Sequence, residues 1–432
     1  MSASIYSICR IRTMTTPSGP ANVEGFVKDG FERVRDVFRE NLENGTDEGG
    51  SVAVYYEGEL VVNLWGGWVD KDSCWKWRED TMPCVFSTTK GPSALVIAHL
   101  VDRGLLDYKE KISKYWPEFG QNGKEEITLE TYITNKAGLS GTDEPFSLWL
   151  IQDDPLKFAE ILAKQKPLWE PGTKHGYHPF TFAMYLDQIV RRVDPEGRCL
   201  AHYFQEEMAK PFDIEFYIGL PKELYYRAPP DLMMGIVENT ELLNGAHGDD
   251  PELTKMVNAS FTDVLNTNNP YVREVPLGSA LGHGTAASLA KLHGILANGG
   301  VHQGKRMMSE EAIKRQQVPR SYGKDAVYGM DWTFSLGTMV LASLDDDKPP
   351  EFSFGHIGHG GQMAFADPTH KIGFAYATNH LNADLVNEGR WKDLYHAMYE
   401  CVYKIKKISA KRKLFLSYEE LLATQKLLSS RK

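Results

Sequence analysis

The sequence has no run of 18 apolar residues, the length a membrane-spanning helix needs, so no membrane span is expected. It also lacks a surplus of positive charge. Its 48 Lys and Arg stand against 58 Asp and Glu, a net charge of −10, which argues against nucleic acid as a partner. Cysteine is scarce: Cys9, Cys74, Cys84, Cys199 and Cys401 are scattered, odd in number and without a CxxC pair. A disulfide-built secreted scaffold is therefore disfavoured, and a reduced intracellular, cytoplasmic setting fits better. There is no G-x-S-x-G elbow, no HExxH, no HxHxDH-type run and no internal repeat, which removes the ordinary α/β-hydrolase and the common zinc enzymes. The 432 residues are 42% hydrophobic and 25% charged, the composition of an ordinary globular protein. Thirty-eight glycines and 22 prolines imply many tight turns, and nine tryptophans with 20 tyrosines supply a large core or an aromatic pocket.

Residues 1–23 hold Arg10, Arg12 and several Ser and Thr, with no acid before Glu24. Two readings stand: a disordered leader, or a transit peptide and hence a mitochondrial location. Apolar residues at Val27, Phe31, Val34, Phe38 and Leu42 follow helical spacing up to the Asn44-Gly45 stop. Ser51 to Tyr56 and Glu59 to Trp65 then read as a hairpin turning at Glu57-Gly58. Far downstream, Met363 to Ala366 and Ile372 to Thr378 read as strands, followed by a helix from about Leu385 to Tyr403. Between the two ends the chain reads as helical and loop-rich, with helices over Phe180 to Arg192, Leu200 to Lys210 and Thr285 to Ala297. The expected fold class is thus α+β: an antiparallel sheet built from both chain ends and flanked by helices, with an inserted helical lobe. The lobes run over about 24–125 with 290–405, and about 126–289. Residues 406–432 form a basic tail with a short helix, for which Ser417 and Glu420 supply a capping box.

The sharpest local signal is Phe86-Ser87-Thr88-Thr89-Lys90, followed by apolar residues at helical spacing. A helix starting at Ser87 places its hydroxyl and the Lys90 ammonium on one face. A serine hydroxyl is a weak nucleophile at neutral pH, and a desolvated lysine can take its proton. Pro92 removes a backbone donor in the opening turns, so an irregular helix start is expected. The second element is Trp169-Glu170-Pro171-Gly172-Thr173-Lys174-His175-Gly176-Tyr177-His178-Pro179, where Tyr177 is either a proton relay stabilised by a nearby ammonium or a packing tyrosine. The third is Phe354-Gly355-His356-Ile357-Gly358-His359-Gly360-Gly361, whose small residues let a substrate lie along a strand edge while a backbone N–H faces a developing oxyanion. His356 and His359 by themselves fall short of the three protein ligands that zinc requires, so no metal or other cofactor is expected.

In this order the three elements resemble the serine β-lactamase and penicillin-binding superfamily, and most closely its class C-like branch of family VIII carboxylesterases and β-lactamase-related proteins. Supporting stretches are Asp102-Arg103-Gly104-Leu105-Leu106, Lys136-Ala137-Gly138-Leu139-Ser140, Pro171-Gly172-Thr173 and Gly282-His283-Gly284-Thr285-Ala286, and the likeness covers about residues 24–405. The resemblance implies that Ser87 is the acylated nucleophile, Lys90 its base and Tyr177 a partner in proton transfer. It also implies that the backbone N–H groups of Ser87 and His359 form the oxyanion hole, and that His356 and Gly358 lie along the substrate.

Two departures bear on substrate. Where many β-lactamases carry Asn two residues after the tyrosine, this chain has Pro179, and where they carry K-T-G it has His356-Ile357-Gly358. A permanent cation that faces the β-lactam carboxylate in the family is thereby lost. The expected function is a metal-independent serine hydrolase acting on carboxylic esters, or transferring the acyl group to another acceptor. β-Lactamase or D-amino-acid peptidase activity is the enzymatic alternative, and a scaffold or filament-forming protein that keeps the fold is the non-enzymatic one. The expected partner is a small-molecule ester or acyl substrate, and a homo-oligomer is compatible with the sequence. Trp149, Tyr225, Tyr226 and Tyr271 are candidates either for lining the pocket or for packing.

Overall fold

The computed structural model describes residues 22–233, 266–344, 350–382, 389–408, 413–414 and 420. Nine strands form its central sheet: β1 (Val23–Val27), β2 (Gly49–Tyr56), β3 (Glu59–Asp70), β4 (Ser321–Lys324), β5 (Asp331–Phe334), β6 (Met339–Leu344), β7 (Glu351–Gly358), β8 (Gln362–Asp367) and β9 (Ile372–Ala377). They lie in the order β1-β3-β2-β9-β8-β7-β6-β5-β4, every neighbour antiparallel. The junction of the two chain ends is the β2–β9 ladder, in which Ser51 pairs with Ala377 and Tyr56 with Ile372. Two short strands, Trp75–Lys76 and Lys413–Leu414, attach to β3 and β6.

Side-chain alternation explains how this sheet is covered on both faces. Val52, Val54, Met363, Phe365, Phe374 and Tyr376 point to one side, where they pack with helices α1 (Glu32–Glu43) and α5 (Gly389–Lys406). Ala53, Ala364, Ala366, Ala375 and Ala377 point to the other, into the core that holds α2 (Lys90–Asp102), α3 (Thr181–Val193) and α4 (Ala286–Ala297). Small side chains on that face let α4 approach closely. A Cβ on Gly373 would lie 2.2 Å from the Gly294 nitrogen and 2.4 Å from the Ala290 oxygen.

The hairpin, the two downstream strands and the helices at 180–193 and 285–297 match the sequence expectation. Glu57 and Gly58 both adopt left-handed φ angles, 51° and 85°, as a two-residue hairpin turn demands. Other expectations are corrected. Val27 ends strand β1 instead of opening the first helix, which starts at Glu32. The stretch Leu200 to Lys210 is one α-turn, Leu200–Tyr203, that widens into a π-turn over Phe204–Ala209 and tightens at Lys210–Phe212, where Pro211 cannot continue a helix. The last long helix runs to Lys406, past the expected Tyr403, while residues 385–388 lie outside the described set. Of the tail, Lys413 and Leu414 pair with Leu344 and Ser343; residues 1–21, Ser417 and all of the helix expected beyond it except Glu420 lie outside the described residues.

Candidate active site

Ser87 sits in a 3-10 turn, Phe86–Thr89, that runs directly into α2. Phe86 has a φ of 43°, a left-handed value that costs a residue with a Cβ energy and re-aims the chain immediately before the serine. The irregular helix start expected from Pro92 is this turn. Helix α2 is apolar all round and buried along most of its length, so it passes through the core as a rigid post. Cys84 is anchored to His283 by a single bridge, and the Val85 N–H donates to the Gly282 oxygen at 2.9 Å.

Lys90, 1% exposed, meets no carboxylate at its amino group among the described residues. Nζ lies 3.1 Å from Ser87 Oγ, 2.6 Å from the Pro179 oxygen and 2.8 Å from the Ser279 oxygen. Burial drives its pKa well below the ordinary lysine value. A neutral amine has two N–H donors and one lone pair. Two carbonyls take those donors, and the serine hydroxyl stands at the third position, where the lone pair of the neutral form would face it.

Tyr177 lies beside Lys90, whose Nζ is 4.8 Å from its ring centre. Its ring is wedged among Trp332 (5.1 Å), Phe334 (5.9 Å, planes 8° apart), His356 (5.9 Å) and Tyr328 (6.0 Å). Burial raises the phenol pKa, and the neighbouring Ser87 hydroxyl offsets part of that rise. The phenol oxygen makes no hydrogen bond of full geometry among the described residues. His178, the next residue, is structural: its ring accepts the Leu139 N–H at 3.0 Å and contacts the Gly176 oxygen at 2.7 Å, and burial holds its pKa down at about 3.

The end of β7 abuts the serine turn. A Cβ on Gly358 would stand 2.4 Å from the Val85 oxygen and 2.8 Å from Thr88 Oγ1, so only glycine fits there. The His359 ring packs edge-on against Phe86, centres 5.4 Å apart. No turn or loop carbonyl takes the N–H of Ser87 or His359 among the described residues. His356 is 2% exposed with Nδ1 2.6 Å from the Ile357 oxygen, and burial together with Lys90 pushes its pKa down to about 3. It therefore stands at this strand as a neutral ring. The structure thus brings Ser87, Lys90, Tyr177, His356, Gly358 and His359 into one neighbourhood. No group of three His, Cys, Asp or Glu among the described residues is arranged to hold a metal ion.

Sequence reasoning missed several neighbours. Ser279 contributes its carbonyl to Lys90 while its hydroxyl bridges the Phe180 oxygen (2.5 Å) and the Ala183 N–H (2.8 Å). Pro179 was noted for the amide it lacks, yet it supplies a carbonyl, which no side-chain pattern reveals. Arg390, 1% exposed, donates to the oxygens of Gly360 and His380 at 2.6 Å each and so ties down the glycine-rich loop. Of the pocket candidates, Trp149 packs on the core, Tyr225 bonds Glu274, and Tyr226 and Tyr271 are exposed.

The Beta-lactamase family model matches residues 34–397. The esterase/beta-lactamase LipL of Mycobacterium tuberculosis is 30% identical over 375 residues, 83% of this chain and 84% of that protein. Among solved structures, a family VIII carboxylesterase is 32% identical with a TM-score of 0.78, covering 88% of this chain and all of its own. A penicillin-binding protein homologue from Caulobacter crescentus is 32% identical with a TM-score of 0.74 and the same coverage. The chain belongs to the beta-lactamase family and is a serine hydrolase of that fold.

Proposed function

We propose that this member of the beta-lactamase family cleaves neutral carboxylic esters through an acyl-enzyme on Ser87. The observation that carries the reading is the buried Lys90 amine, 3.1 Å from Ser87 Oγ and held by two carbonyls with no counter-ion among the described residues. In this reading Lys90 Nζ takes the serine proton as Oγ attacks the ester carbonyl. The oxyanion is met by the N–H groups of Ser87 and His359, each such donor being worth roughly 3 kcal/mol. As the alkoxide departs, the proton returns to it through Lys90 and Tyr177. Water, deprotonated by the same pair, then attacks the acyl-enzyme and releases the acid. An alcohol or amine in place of water would give acyl transfer by the same steps.

Esters are favoured over β-lactams because His356 offers no cation to a substrate carboxylate. The names of the compared proteins, a family VIII carboxylesterase and an esterase/beta-lactamase, agree with that preference. The catalytic unit in this reading covers about residues 24–405.

The test is labelling by a fluorophosphonate probe alongside turnover of p-nitrophenyl acetate and butyrate. Both should be lost in Ser87→Ala with the circular dichroism spectrum unchanged. Undiminished turnover in that variant would remove Ser87 from the mechanism, and absence of labelling in the parent protein would favour a scaffold. Nitrocefin turnover matching the ester rate would shift the substrate class to β-lactams.

A further inference from the structure

Among the described residues the Tyr177 phenol oxygen has no well-formed hydrogen bond to aim it, so its placement depends on what holds the backbone and the ring. The backbone is held by Asp325, a carboxylate 0% exposed on a loop 148 residues away in sequence. Its Oδ2 accepts the Tyr177 N–H at 2.6 Å, and its Oδ1 accepts the N–H groups of Val327 (3.0 Å) and Tyr328 (2.8 Å). The two loops are stitched a second time by the Ala326 N–H donating to the His175 oxygen at 2.9 Å. The turn so formed carries Tyr328, whose ring is one wall of the aromatic slot around Tyr177. One carboxylate thus fixes both the tyrosine and its slot.

We propose that Asp325 is the positioning residue of this site: as a carboxylate it ties the Tyr177 backbone to the 327–328 turn and thereby aims the phenol at Ser87. The inference rests on the reading that Tyr177 moves protons. Among the described residues no strong cation neutralises Asp325. The nearest candidate, His175 Nε2, is 3.9 Å away, beyond hydrogen-bond reach, and burial with Lys136 nearby keeps that ring neutral by pulling its pKa to about 4. Burial of Asp325 accordingly raises its pKa to about 7, against the lowering effect of its three N–H donors. The other titratable groups around the clamp are Tyr177 and Tyr328, both shifted upward, and Asp331, which acts on His175. Protonation of Asp325 turns an acceptor into a donor facing backbone N–H groups, so the clamp loosens as pH falls through about 7.

Linkage gives the proposal an unusual sign. A carboxyl whose folded pKa is raised binds its proton more tightly when folded, so its contribution to stability rises as pH falls from about 7 toward the unfolded value near 4. Activity falls over the same span. A merely structural carboxyl would not move the two in opposite directions.

The experiment measures kcat and KM for p-nitrophenyl acetate from pH 5 to 9 in the parent, Asp325→Asn, Tyr177→Phe and the double variant, with thermal melts on each. Asp325→Asn should lower kcat roughly 10- to 100-fold at pH 8 with KM within about threefold, as expected for loss of positioned proton transfer. It should also abolish the acid limb with its midpoint near 7, and it should cost nothing further in the Tyr177→Phe background. A full additional loss in the double variant, or an unchanged acid limb in Asp325→Asn, would overturn the proposal. The latter result would assign the limb to Lys90. If Asp325→Asn does not fold, the parent and Tyr177→Phe still decide: a limb near 7 present in the first and absent in the second supports the clamp, and its persistence rejects it. Tyr177→Phe with parental kcat would instead refute the role given to Tyr177.

Discussion

Lys90, Tyr177 and His356 carry three different ionisable groups within one neighbourhood, and burial pushes each toward its neutral form. The residue types and their order were legible in the sequence, because S-x-x-K before an apolar helix and a glycine-flanked strand end are local patterns. The backbone partners were not, since Pro179 and Ser279 act through carbonyls that every residue possesses. The neutrality of His356 also needed the fold, which places it under a ladder and beside Lys90. With its pKa near 3, His356 supplies no positive charge at any pH where the protein is studied. An ester carrying its own carboxylate then forfeits a charge-assisted contact worth roughly 1.5–3 kcal/mol. We therefore expect kcat/KM for p-nitrophenyl hemisuccinate to be at least about 10-fold below that for p-nitrophenyl butyrate at pH 7.5. Equal efficiencies would mean that another cation serves the site.

At the scale of elements, strands with clear alternation were readable and the short ones were not. Strands β4 and β5 are four residues each, Ser-Tyr-Gly-Lys and Asp-Trp-Thr-Phe, with too few apolar positions to show a period. They become strands because a neighbour supplies the ladder. Strand β1 was hidden by Gly25, whose φ of 99° and close approach to the Asn63 oxygen leave no room for a Cβ. The α4-to-sheet contact is a further case. Its glycines, Gly294 on the helix and Gly373 on β9, meet across the interface, and Gly294 also packs against Tyr55. A methyl at 373 must push the helix off the sheet, since the atoms it meets are backbone. Overpacking of that kind costs roughly 1–3 kcal/mol. Gly373→Ala should lower the melting temperature by several degrees while the folded fraction keeps its fluorophosphonate labelling. A melting temperature equal to the parent's would show that the interface can breathe.

The whole molecule joins its two ends in one sheet and sets the candidate site where the end of β7 meets the turn that opens α2. This plan was readable because strands cluster at the termini, whereas the order of the middle strands was set by packing. The same plan buries five histidines: His175, His178, His283, His293 and His356 are each no more than 6% exposed. Burial lowers every one of them, to about 4 for His175 and His293 and about 3 for His178, His283 and His356. Unfolded, each returns to about 6.5, so between 6.5 and 4 the unfolded chain binds protons that the folded chain refuses. Stability must then fall as pH falls, by up to about 1.4 kcal/mol per histidine for each pH unit below 6.5. The buried carboxyls Asp325, Asp231 and Asp187, all raised by burial, oppose this with the opposite sign, and the five histidines outnumber them. The sum reaches several kcal/mol near pH 5.5, comparable to the roughly 5–15 kcal/mol that holds a typical domain. The protein should accordingly melt at much lower temperature at pH 5 than at pH 7.5 and unfold outright toward pH 4.5. A melting temperature unchanged between pH 7 and 5 would show that these rings find protonated partners as readily in the fold as in water.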